Sequence, residues 1–305
     1  MTQTPPGWAR PLGFDAPRPG CVPLRPLGLG DILDGSFRIL RRNPRATLGL
    51  SALVTVIQVA VTTLLTANSL SRLGQLDVTG SSNPNATSGL GAVLGGEFAT
   101  VLGYALRALL GAVLTGMLVL VVTQDVLGVR LSVPQVWART RRRALPLLAL
   151  AILLTLVEFL ALLPCLVLGI WLWGIWAVAV PAFMVESSTI RGALGRSKEL
   201  VSGTFWRVWG IRALGWLIVS VVSSIVVLPF EVLGFALSDS GFDRLIHGGG
   251  LPTLVLVTAA VGQVIAGTVT APVLASIDSL LYVDLRMRKE GLDLVLQQAT
   301  LRPVG

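Results

Sequence analysis

One histidine, His247, occurs in the whole sequence, beside the GGG of 248–250. A His-based metal site or a His pair therefore cannot be built within one chain, and no metal or other cofactor is expected. Cysteine is nearly as scarce. Cys21 stands in a polar leader and Cys165 in an apolar run, too different in expected depth for a disulfide. No GxxxxGKS/T phosphate loop, GxSxG elbow or CxxC pair is present, so those chemistries have no motif to rest on. No acidic pair is singled out for general acid–base work either. The largest deficit is charge. Asp, Glu, Lys and Arg make up 13% of the residues against 53% hydrophobic, with mean hydropathy +0.78. Ordinary soluble domains carry roughly 25% charged residues, so a soluble globular chain is excluded.

Lysine is reduced to Lys198 and Lys289, and the net charge of +8 is carried by arginine. The Arg-over-Lys bias beside abundant Ala, Leu, Val and Gly suits a GC-rich bacterial genome. A basic balance fits nucleic acid or an anionic membrane face. Here the arginines flank apolar runs and no recognition module accompanies them, so no nucleic-acid partner is expected. The stretch RILRRNPRATLGLS (38–51) shows the pattern: four arginines in eight residues, then no further charge until Arg72.

Six charge-poor stretches, 46–67, 99–122, 144–163, 166–185, 209–233 and 253–281, each suit one membrane-spanning helix of ~20 residues. Pro164 separates the third from the fourth as a tight hairpin. All but three of the basic residues fall in the leader to Arg45, in 123–143, in 186–212 or in the tail after 281. The exceptions are Arg72 and Arg244 on the other side and Arg107 inside a span. Cytoplasmic segments are enriched in Lys and Arg. The chain therefore reads as a multi-pass protein of the cell inner (plasma) membrane with both termini cytoplasmic. Residues 1–23, Pro-rich and without a signal-peptide core, read as a disordered cytoplasmic tail. A six-span membrane domain over 24–296 and a cytoplasmic C-terminal tail over 297–305 complete the organisation.

Along 31–43, Ile32, Leu33, Ser36, Phe37 and Leu40 share one helical face, and Asp34, Arg38, Arg41, Arg42 and Arg45 follow the opposite stripe. That pattern describes a helix lying in the membrane interface. Aligning 36–50, 136–150 and 197–211 repeats the design, with Ile190, Leu194, Ser197, Val201 and Phe205 as the apolar face of the third copy. The expected fold is all-α: six transmembrane helices as three hairpins, each preceded by a cytoplasmic-side amphipathic elbow helix. Arg38, Arg41, Arg42, Arg45, Arg141, Arg142, Arg143, Arg191 and Arg196 are the expected contacts with anionic lipid at the inner leaflet.

Arg107 and Glu158 fall at similar depth in the second and third spans, where a charge without a partner costs ~2.5–3.5 kcal/mol. They read as an ion, proton or anionic-substrate site, or as a pair fixing how two hairpins dock. Gln58 and Gln263 suit interhelical hydrogen bonds. Glu231 lies near the outer end of the fifth span, within reach of headgroup water. Asp278, near the inner end of the sixth, is placed to meet an elbow-helix arginine. Small residues at four-residue spacing (Ala108, Ala112, Gly116; Thr258, Gly262, Ala266, Thr270) permit close helix contact. Trp171 and Trp173 read as an outer aromatic belt, and Trp137, Trp206 and Trp209 as an inner one.

Three stretches, PLRPLGLGDILDGSFRILRRNP (23–44), VESSTIRGALGRSKELVSGTFWRVWGI (185–211) and LLYVDLRMRKEGLDL (280–294), resemble actinobacterial membrane proteins named for the glycerophosphoryl diester phosphodiesterase membrane domain. In phosphodiesterases carrying that region, hydrolysis belongs to a separate barrel domain with histidines and acidic metal ligands. The resemblance thus implies the membrane module without a catalytic domain, and it assigns no functional residue. The expected role is a non-catalytic integral membrane protein that organises lipid or a partner protein at the inner leaflet, with homo-oligomerisation left open. The alternatives are a transporter or permease component using the Arg107–Glu158 region, and a lipid-modifying enzyme.

Overall fold

The computed structural model describes residues 22–23, 25–73, 86–126, 131–162, 166–186, 189–238 and 252–291, with the side chains of 68–73, 86–100, 104, 158–162 and 166 outside that description. Nearly all of the expected tails fall outside it as well, as do residues 74–85 and 239–251 between apolar helices. Among the described residues the protein is helical and holds no strand.

Six apolar helices follow the charge-poor stretches: α2 (Pro44–Leu73), α3 (Ala86–Val126), α5 (Ala144–Leu162), α6 (Leu166–Ile175), α9 (Phe205–Ala236) and α10 (Thr253–Glu290). The stretch read as a single fourth span is broken. A turn at 176–178 divides it into α6 and the short α7 (Ala179–Glu186). Among the described residues, five segments are long and apolar enough to cross a membrane: Pro44–Ala67, Val101–Val126, Val167–Glu186, Phe205–Ala236 and Thr253–Glu290. The apolar part of α5 is shorter, Ala144–Val157. Their outward faces are apolar too. Leu64 is 70% exposed, Leu145 81% and Ile225 67%, the inverse of a soluble surface, which avoids wide apolar patches.

Three shorter helices precede α2, α5 and α9: α1 (Leu29–Arg42), α4 (Val133–Arg141) and α8 (Ile190–Val201). Each starts on a polar cap. Asp31 accepts from the Gly28 N–H, Gln135 from the Ser132 N–H, and Thr189 Oγ1 from the Gly192 N–H. The buried stripe of α1 is Ile32, Gly35, Ser36 and Ile39, rotated by one position from the expected face, so Phe37 stays exposed. Docking explains the rotation: α1 packs on α10, and Gly35 faces Val22 and Leu280 so closely that a Cβ there would lie 2.8–2.9 Å from them. Val22 is fully buried, so the packed region begins before the expected end of the tail at 23.

The centre of the molecule is α10, packed along α9, α2, α3 and α1. Glycines set these approaches. Gly262 lies against Phe230, Gly267 against Thr55 and Gly215 against Ile277. At Gly234 a Cβ would come within 2.8 Å of the Val255 Cα, a backbone atom that cannot yield. The small-residue rows of α3 and α10 are thus contact faces, with Gly116 receiving Leu147 of α5. Helix α9 packs along α10 and touches α6, but it does not pack along α2 or α3. A cleft is left between them, floored by α10.

Candidate functional site

Polar chemistry concentrates at one end of the bundle and in the cleft. At the charged end, the Asp284 carboxylate is fully buried and takes guanidinium hydrogen bonds from Arg207 (2.5 Å) and Arg288 (2.9 Å). It also accepts the Leu27 backbone N–H at 2.7 Å, while the Leu27 carbonyl accepts from both arginines. One buried carboxylate therefore ties the incoming chain to the start of α9 and the end of α10.

A second cluster meets the same stretch of α10 through Tyr282, Arg286 and Glu290. Glu186 accepts from Arg196 and from the Tyr282 hydroxyl (2.8 Å), and Glu290 accepts from Arg196 and Arg286. Desolvation alone would lower the Arg196 pKa; hydrogen bonds to Glu186 and Glu199 outweigh it and hold the guanidinium above its ordinary value. Arg42 lies 3.2 Å from Asp125, whose side chain is 3% exposed. The contact is ionic without hydrogen-bond geometry, so both Asp125 oxygens lack a donor. Around these clusters Asn43 donates to the Leu131 carbonyl, Arg143 to the Met184 carbonyl and Ser197 to the Ile175 carbonyl. All three amphipathic helices therefore gather at this end.

Of the nine arginines expected to meet lipid, Arg42, Arg143 and Arg196 are thus taken up within the protein. Arg38, Arg41, Arg45, Arg141, Arg142 and Arg191 are exposed and carry no ion pair among the described residues. Asp278 pairs with Arg212 at 3.2 Å, a residue of α9 and not of an amphipathic helix. Arg212 also covers the Trp173 ring at 4.4 Å, and Trp173 meets Trp209 edge-on. Trp173 thus shares a level with Trp209 and does not belong to an opposite belt. The Ser197 bond to the Ile175 carbonyl sets the end of α6, and Trp173 with it, at the charged end.

The cleft is the second site. It encloses about 600 Å³ between α2, α3, α9 and α10. Arg107, Gln58 and Gln263, singled out from the sequence, all line it, and so does Glu231. Packing contacts fix their register. Phe230 opposite Gly262 sets Glu231 beside the level of Gln263, and Thr55 opposite Gly267 brings Gln58 to the same height. Leu65 opposite Gly103 places Arg107, one turn along, level with Thr62. A cation and an anion therefore face the cleft from opposite walls, with an amide on the floor and another on the α2 wall. Neither Arg107 nor Glu231 has an ion-pair partner among the described residues. The side chain of Glu158 lies outside the described residues, and with it the expected Arg107–Glu158 pair.

Sequence reasoning missed Glu186, Asp125, Asp284 and Glu290, because attention to the arginines left the carboxylates between them unweighed. Two signals were readable: Asp284–Arg288 and Arg286–Glu290, both at i, i+4. No group of three or more metal-ligating side chains occurs among the described residues. No family model matches the chain, and neither a curated protein nor a solved structure matches it.

Proposed function

We propose that this chain is a six-span protein of the bacterial inner membrane, with both termini in the cytoplasm, that organises anionic lipid or a partner protein at the inner leaflet without catalysing a reaction. Each hairpin (α2–α3, α5 with α6–α7, α9–α10) is preceded by an elbow helix lying at that leaflet. The observation that carries this reading is the group of exposed basic residues on or beside α1, α4 and α8, Arg38, Arg41, Arg45, Arg141, Arg142 and Arg191 among them, at the charged end. Arg42, Arg196, Arg207, Arg286 and Arg288 pair with carboxylates within the protein, whereas those six have no such partner among the described residues and are free to meet phosphate. The resemblance to the phosphodiesterase membrane domain fits a module of this kind.

Near an anionic surface each arginine contributes about 1 kcal/mol, roughly five-fold in affinity. Replacing Arg38, Arg41, Arg45, Arg141, Arg142 and Arg191 together by glutamine is expected to strip co-purified anionic lipid while thermal unfolding stays unchanged. Native mass spectrometry after detergent exchange reads the outcome. Undiminished anionic lipid on the six-fold variant would remove the lipid-organising role.

A second reading, a transporter or permease component working through the Arg107 region, is favoured by one observation: Arg107, Glu231, Gln58 and Gln263 line a single cleft within apolar helices.

A further inference from the structure

The cleft has a charge pattern that selects a ligand. Arg107 and Glu231 face it at one level from opposite walls. Both side chains are exposed to the cleft and neither has an ion-pair partner among the described residues, so each is open to a ligand's counter-charge. A simple anion would satisfy Arg107 and be repelled by Glu231; a simple cation would do the reverse. A neutral solute leaves both uncompensated. Only a zwitterion offers each wall its complement.

The remaining lining narrows the class. Beside Glu231, the carbonyl oxygens of Gln58 and Gln263 accept N–H donors. That suits a primary ammonium with three protons. A quaternary ammonium prefers an aromatic cage, and Trp216 is the one aromatic among the described lining residues. Ser220, Ser223 and Ser224 extend the polar wall along α9, towards the charged end. They face a ligand that continues past its headgroup as a polar linker.

The rim supplies the source. Trp216 and Leu228 are 57% and 58% exposed, and α9 does not close against α2 or α3. The cleft therefore opens sideways, onto the apolar flank of the bundle. A volume of about 600 Å³ is in the range that encloses a drug-sized group, enough for a headgroup and glycerol but not for two acyl chains.

We propose that this cleft binds the headgroup of an aminophospholipid, with the phosphate on Arg107 and the ammonium on Glu231, Gln58 and Gln263, the acyl chains leaving between α9 and the α2–α3 wall. The site lies away from the exposed arginines and does not rest on the inner-leaflet role.

The test uses the full-length protein in detergent, titrated separately with phosphatidylethanolamine, phosphatidylcholine and phosphatidylglycerol and read by native mass spectrometry. Phosphatidylethanolamine is expected to be retained at least ten-fold more tightly than either of the others, and soluble phosphoethanolamine at equal concentration should not displace it. Arg107→Gln and Glu231→Gln are each expected to abolish that preference, while the six-fold arginine variant keeps it. If either charge variant fails to fold, Ser223→Phe, which fills the cleft and leaves both charges in place, is expected to give the same loss. Equal retention of the three lipids by the native protein would overturn the proposal. So would an unchanged preference in a folded Arg107→Gln, Glu231→Gln or Ser223→Phe variant. Displacement by soluble phosphoethanolamine would overturn the lipid as the source and assign the cleft to a soluble zwitterion.

Discussion

Asp284→Ala is expected to lower the stability of the protein by about 2–4 kcal/mol, from charge-assisted hydrogen bonds lost and a buried N–H left without an acceptor. The carboxylate is fully buried and holds two guanidinium groups and a backbone N–H. Its removal breaks the charge-assisted hydrogen bonds of Arg207 and Arg288, which are 31% and 35% exposed and can turn to solvent. It also leaves the Leu27 N–H, on a residue with no exposure, without an acceptor. The start of the packed chain, the start of α9 and the end of α10 then lose their common tie. Asp284→Asn still offers an acceptor to Leu27 but no charge, so it should fall between. Glu199→Ala serves as the contrast: its side chain is 68% exposed beside Arg196, and an exposed pair is worth about 0–1 kcal/mol. Thermal and denaturant unfolding in detergent measure the series. Equal loss in Asp284→Ala and Glu199→Ala would show that the buried tie does not hold the end together.

The second large effect is an asymmetry. Arg42→Met is expected to cost about 3–5 kcal/mol, because it strands the Asp125 carboxylate in the interior without its cation among the described residues. Asp125→Leu is expected to cost less than about 1 kcal/mol, or to stabilise. It leaves Arg42, whose side chain is 32% exposed, free to turn to solvent or phosphate. It also removes two carboxylate oxygens that no donor satisfies. A desolvated ion pair is often no better than an apolar substitute, while half of one is much worse. The double variant Arg42→Met with Asp125→Leu should recover most of the loss. Equal costs for the two single variants would mean that Asp125 is not the buried partner.

The apolar helices and the amphipathic helices before them were legible in the sequence because hydrophobic period and charge boundaries are local properties. So were three of the cleft residues: Arg107, Gln58 and Gln263 stand out in apolar helices wherever the chain folds. What local pattern cannot supply is azimuth. Counting residues along a span gives a depth, which set Arg107 level with Glu158, but not the faces that meet. Rotation of the helices about their axes brings Glu231 to the same cleft from α9. Glu231 also looked peripheral when measured from the end of its own helix. The register of α9 on α10, set by Gly262 against Phe230, places it level with Gln263. The Leu27 tie was beyond any side-chain reading, since its partners are a backbone N–H and carbonyl. Similarly, the break at 176–178 lies within an unbroken apolar run, and nothing in its composition marks it.

The proposed role at the inner leaflet requires the end that gathers the arginines to face the cytoplasm. With Cys21 and Cys165 replaced by alanine, Arg141→Cys and Ser82→Cys can be labelled in intact cells by a membrane-impermeant maleimide. Position 141 should stay unmodified until the membrane is permeabilised, and position 82 should react at once. Labelling of position 141 from outside intact cells would reverse the protein in the membrane and end its assignment to the inner leaflet.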